Sequence, residues 1–63
     1  MKIIVDAMGG DHAPLQIVLG AVDAIKQDKS LQVVLVGDES AINQCLCDCK
    51  DYDKNRLSII DAK

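Results

Sequence analysis

The stretch Lys2-Ile3-Ile4-Val5-Asp6-Ala7-Met8-Gly9-Gly10-Asp11-His12-Ala13-Pro14 sets the fold class of this 63-residue chain. Lys2 to Val5 is a short, largely β-branched run closed by Asp6, and it reads as a strand. Pro14 suits the first turn of a helix, where its missing N–H costs nothing, and that helix is expected to run to Gln27. Between them lie two adjacent glycines. The segment therefore reads as strand, sharp turn and helix start, the opening of an α/β unit.

The rest of the chain repeats the pattern. Gln32 to Val36 is a second apolar run, closed by Gly37-Asp38, and Arg56 to Asp61 is a third. Neither of the first two strands alternates polar with apolar residues, the pattern of parallel strands buried on both faces. Gln16, Gly20, Asp23 and Gln27 form one thin polar stripe on the first helix, which leaves the remainder of its surface largely apolar. Asp38 or Ser40 can cap a second helix, expected to reach about Cys49, with a polar loop from Lys50 to Asn55. The predicted order is β-α-β-α-β. Two right-handed crossovers that continue in one direction put both helices on the same sheet face. The other face is then uncovered, with more apolar surface than so short a chain can hide. Residues 1–63 are accordingly expected to be the N-terminal part of a single larger α/β domain.

Composition narrows the function classes. At 49% hydrophobic the chain is too apolar for a disordered tail, yet it has one Tyr and no Phe or Trp, so its core must be aliphatic. Ten acidic residues against seven basic ones give a net charge of -3, and no basic cluster is present to track a phosphate backbone, so no nucleic-acid partner is expected. No apolar run exceeds six residues (Ile17 to Val22), too short for a membrane span or a secretory signal. The expected compartment is the cytoplasm, where thiols stay reduced. Cys45 and Cys49 share a helix face at i and i+4 while Cys47 points away, so the three are read as free thiols and no metal site is expected.

Ligands of open α/β sheets bind outside the carboxyl ends of the strands, where Asp6 to Pro14 falls. Gly9 and Gly10 let the backbone turn and aim N–H groups at an anion near the helix start. The dinucleotide fingerprint G-x-G-x-x-G and the P-loop signature are both absent. Asp6, Asp11 and His12 flank the glycines; Gly37 and Asp38 occupy the equivalent turn after the second strand. Each has a plain structural alternative: the glycines as a tight turn, the aspartates as acceptors of loop N–H groups, His12 as a solvated loop side chain.

The run D-A-M-G-G-D-H-A-P, residues 6–14, after its short strand closely resembles the start of the bacterial phosphate acyltransferases of phospholipid synthesis, the PlsX family. Val34 to Glu39 resembles that family's second strand and V-G-D turn, and Leu57 to Ala62 its third strand, so the likeness covers essentially the whole chain. Family members are several times longer, which agrees with the bare sheet face. The resemblance implies a three-layer Rossmann-like fold of the isocitrate/isopropylmalate dehydrogenase type, of which the chain holds the first β-α-β-α-β portion. It implies transfer of a fatty acyl group from acyl carrier protein to inorganic phosphate, giving acyl phosphate. No metal or organic cofactor is implied. The implied setting is a cytoplasmic homodimer, peripherally associated with the membrane, that feeds a downstream membrane acyltransferase. On this reading His12 and Asp11 are catalytic candidates, and Asp6, Gly9, Gly10, Gly37 and Asp38 bind phosphate or substrate. The isolated 63 residues are expected to be inactive. The alternative from the residues alone is a non-catalytic phosphate- or nucleotide-binding module.

Overall fold

The computed structural model describes residues 1–62 of the chain. Strand β1 (Lys2–Asp6) leads to helix α1 (Leu15–Gln27), β2 (Gln32–Gly37), helix α2 (Glu39–Leu46), one 3₁₀ turn (Lys54–Arg56) and β3 (Leu57–Asp61). The three strands form one parallel sheet in the order β1-β2-β3. The α/β order expected from the sequence is therefore the observed one.

Both helices lie on one sheet face, where their apolar residues share a core with β2. Val18, Ala21 and Ile25 of α1 and Ile42 of α2 pack with Val33 and Leu35. Burying an aliphatic side chain of this size stabilises by about 1.5–3 kcal/mol, so these few residues supply most of the driving force. Val5, Leu57 and Ile59 flank them on the outer strands. The register aligns Ile3 with Val33 and Leu57, and Val5 with Leu35 and Ile59, so these rows face the helices. The intervening rows face away. There the central strand is sheltered by its neighbours, with Val34 at 7% exposure, while Ile4 is 70% and Ile60 53% exposed. The apolar character of both faces, legible in the sequence, has its counterpart here: one face is roofed and the other bare.

The helix ends differ from expectation in three places. Pro14 is the N-cap of α1 rather than its first helical residue, and its carbonyl accepts the Val18 N–H at 2.9 Å. Helix α2 stops at Leu46, short of Cys49. Its last apolar contacts with the core are made by Cys45 and Leu46, and the Cys49 N–H then closes a tighter i→i−3 bond to the Leu46 carbonyl. Beyond that, Asp51 adopts a positive φ of 62° and reverses the chain, and part of the expected loop forms the 3₁₀ turn.

A side chain from that turn closes the lower end of α1. The Arg56 guanidinium donates to the carbonyls of Ile25 (2.7 Å), Asp28 (2.8 Å) and Leu31 (3.1 Å), and its Nε donates to Asp53 at 3.3 Å. Helix C-termini leave carbonyls unpaired and carry partial negative charge, so a planar cation with several donors fits both needs. No helix among the described residues is long and apolar enough to cross a membrane.

Candidate functional site

The carboxyl ends of the three strands bring the sequence-predicted residues to one edge of the sheet. Past Asp6 the ladder continues for one residue, with the Ala7 N–H donating to the Val36 carbonyl at 2.9 Å, and Ala7 is fully buried. The chain then leaves the sheet. Asp6 Oδ1 accepts the Met8 N–H at 2.9 Å, which folds residues 6–8 into a side-chain-closed turn. Gly10 has φ +105°, a conformation that only glycine adopts without strain. Gly9 has no such constraint, and a Cβ there would make only ordinary contact with Asp6, nearest at 3.6 Å to Oδ2. The two glycines thus serve different purposes: Gly10 makes the turn, while Gly9 leaves a bare stretch of backbone facing outward.

Gly9, Gly10, Asp11 and His12 are all exposed. Among the described residues neither glycine N–H donates a hydrogen bond, and neither the Asp11 carboxylate nor the His12 ring has a partner. The loop is anchored at its far end, where the His12 carbonyl accepts the Gln16 N–H at 3.3 Å. Unspent amide donors just ahead of a helix start can hold an anion. Residues 6–14 contain no Lys or Arg, so a doubly charged anion would need cations from elsewhere in the protein.

Aspartates end or follow all three strands, and each is occupied by backbone. Asp38 Oδ1 caps α2 by accepting the N–H groups of Ser40 (3.1 Å) and Ala41 (3.5 Å). Asp61 Oδ1 accepts the Glu39 N–H at 3.1 Å, from a position 22 residues away. Sequence reading singled out Asp6 and Asp38 but passed over Asp61, although its place at a strand end carries the same signal. Gly37 meets a different neighbour. A Cβ on it would sit 2.6 Å from Met8 Cγ and 2.9 Å from Sδ, so the Met8 side chain lies across Gly37 and ties the glycine loop to β2.

The opposite edge of the sheet holds a shallow depression of about 500 Å³ lined by Lys26, Lys29, Asp51, Tyr52, Asp53 and Arg56. Its arginine is consumed in bracing the end of α1 and pairing with Asp53. The cysteines are all free thiols. Cys45 packs against the core, Cys47 is exposed, and Cys49, although beyond the helix, still directs its Sγ to the Cys45 carbonyl at 3.6 Å. Among the described residues no three Cys, His, Asp or Glu side chains converge as metal ligands would.

The family model described as fatty acid synthesis protein matches residues 1–63. A phosphate acyltransferase of Listeria welshimeri is 53% identical over 60 residues, which is 95% of this chain and 16% of that protein. Phosphate acyltransferases of Clostridium tetani and Dictyoglomus thermophilum are 44% and 49% identical over all 63 residues, covering 19% and 18% of their lengths. The chain thus spans less than a fifth of the length of these relatives.

Proposed function

Because this chain belongs to the fatty acid synthesis protein family, we propose that it is the N-terminal portion of a phosphate acyltransferase. The complete enzyme would move a fatty acyl group from the thioester of acyl carrier protein to inorganic phosphate. A phosphate oxygen attacks the thioester carbonyl carbon, and the carbonyl oxygen carries the developing negative charge. As the C–O bond to phosphate persists and the C–S bond breaks, the electron pair leaves with sulfur. The products are acyl phosphate and the free carrier thiol.

The observation that carries this reading is the pair of exposed, unspent N–H groups at Gly9 and Gly10, held at the carboxyl end of β1. Backbone donors fixed before the reaction can stabilise a phosphate or an oxyanion without reorganising. Asp6 shapes the turn that presents them, and Gly37 and Asp38 form the neighbouring wall. His12, exposed beside the loop, is the candidate to give a proton to the departing thiolate, with Asp11 adjacent to orient it or a bound water. The acidic edge would repel free phosphate unless cations from the rest of the enzyme offset Asp6, Asp11, Asp38 and Asp61. Turnover is therefore assigned to the complete protein, with the isolated segment inactive.

The fuller setting follows the family resemblance: a three-layer Rossmann-like domain, no cofactor, a cytoplasmic homodimer touching the membrane peripherally, and a membrane acyltransferase as consumer of the product. The test is to incubate the complete protein with acyl carrier protein bearing a fatty acyl thioester and with phosphate. Acyl phosphate and free carrier should appear together in equal amounts. Tight binding of phosphate or nucleotide with no acyl transfer would support the non-catalytic module instead.

A further inference from the structure

The end of β3 reaches back to the turn between β2 and α2. Asp61 Oδ1 accepts the Glu39 N–H at 3.1 Å, and the following Ala62 N–H donates to the Gly37 carbonyl at 2.8 Å. Two bonds from the neighbouring strand thus hold the turn Gly37-Asp38-Glu39. The first has a definite cause. Glu39 opens α2, so its N–H has no acceptor inside the helix, and the Asp38 carboxylate accepts the N–H groups of Ser40 and Ala41 instead. The Asp61 carboxylate satisfies that donor at the helix end that favours negative charge.

From this turn the contact passes on to the loop after β1. The Met8 side chain lies across Gly37, where a Cβ would stand 2.6 Å from Met8 Cγ and 3.4 Å from Ile42 Cδ1. Met8 therefore rests on the Gly37 backbone beside a fully buried residue of α2. Its own N–H is bound to Asp6 Oδ1, and the next residue is Gly9. Close-packed contacts transmit strain, so a shift of the turn at residues 37–39 is passed to Met8.

We infer that Asp61 is a positioning residue for the Gly9-Gly10 loop, acting across all three strands through Glu39, Gly37 and Met8. It touches neither phosphate nor the reacting atoms. The inference deepens the acyltransferase reading and rests on it for what the loop binds; the mechanical link from Asp61 to the loop stands on the contacts alone. Loosening the loop weakens phosphate binding and so raises KM for phosphate. Mere loss of folded protein would lower kcat and leave that KM unchanged.

The test uses variants of the complete protein. Asp61→Ala should shift the Gly9 and Gly10 amide resonances before any substrate is added. It should also raise KM for phosphate about three- to tenfold, the scale of one hydrogen bond. Asp61→Asn keeps an acceptor for Glu39 and should return both readouts most of the way to wild type. Glu39→Pro removes the donor instead. Proline suits a first helical position, and Asp38 at φ -69° and ψ 109° already has the backbone that a following proline requires. This variant should reproduce Asp61→Ala, and the two together should be no worse than either alone. In a Met8→Ala background, Asp61→Ala should no longer change KM for phosphate. Unmoved Gly9 and Gly10 resonances in Asp61→Ala would overturn the inference. So would a KM effect that Glu39→Pro does not share, which would assign it to the carboxylate itself, or one that persists in full without Met8. A protein that makes acyl phosphate while its loop ignores Asp61→Ala loses this inference alone; one whose loop responds but that transfers no acyl group loses the acyltransferase reading alone.

Discussion

Met8 lies across Gly37 so closely that any side chain at position 37 would have to displace it: a Cβ there would stand 2.6 Å from Met8 Cγ. Through this contact the end of β2 fixes the loop that carries Gly9 and Gly10. In the complete protein Gly37→Ala should cost about 1–3 kcal/mol as an overpacking substitution. Met8→Ala removes the obstructing atoms, so the double variant should be less destabilised than the sum of the singles by about 1 kcal/mol or more. Urea unfolding of the four proteins measures the difference; strict additivity would mean that the two residues do not touch.

Gly9 and Gly10 should respond differently to alanine. Gly10→Ala forces a side chain into φ +105° and should lower stability by about 1–2 kcal/mol. Gly9→Ala meets only the Asp6 side chain at ordinary contact distance, so stability should stay within about 0.5 kcal/mol of wild type. On the proposed function its effect should fall on phosphate, as a raised KM, because the added methyl would stand on the backbone assigned to phosphate. Thermal unfolding and phosphate-dependent initial rates, run on both variants, separate the two roles.

Arg56 joins the 3₁₀ turn to the end of α1 and to the loop into β2 through the carbonyls of Ile25, Asp28 and Leu31. Arg56→Ala leaves them without a charged donor and should destabilise by about 2–3 kcal/mol. Arg56→Lys should recover only part of that, since an ammonium cannot reproduce the planar fork. Neither change should alter kcat or KM at temperatures where the variant is folded, as assayed by acyl-phosphate formation.

The Asp28 carboxyl is held below its ordinary acidity range. Its carboxylate accepts from the Ser30 hydroxyl and then from the Ser30 N–H, which holds its pKa below 3.8. A folded value below the unfolded one contributes stability that is present above pH 3.8 and lost as pH falls through the folded value. Ser30→Ala should move the Asp28 titration upward, toward 3.8, in a carboxyl-carbon chemical-shift titration. An unchanged midpoint would assign the shift to the backbone bond alone.

Much of the fold could be read locally. The apolar runs at Ile3–Val5 and Val33–Val36 give the strands, Pro14 and the polar stripe Gln16/Gly20/Asp23/Gln27 mark α1, and Asp38 caps α2 as its residue type suggests. The one-sided packing followed from crossover handedness. What escaped was long-range. Nothing near Met8 announces Gly37, nothing near Arg56 announces the carbonyls of Ile25, Asp28 and Leu31, and Asp61 reaches Glu39 across 22 residues. Helix α2 stops early because its core contacts end at Leu46, a tertiary fact that the helix-compatible residues Cys47 and Asp48 do not reveal. At the candidate site, Gly9-Gly10 was legible as a turn, but which glycine is required by the backbone and which is free emerged only from the dihedral angles.

The most direct measurement follows the Gly9 and Gly10 amide resonances of the complete protein as inorganic phosphate is added, beside the rate of acyl-phosphate formation at the same concentrations. Both amides should shift and saturate with the half-point that governs the rate. Turnover that saturates while these two resonances stay still would place phosphate elsewhere and contradict the role assigned to the loop.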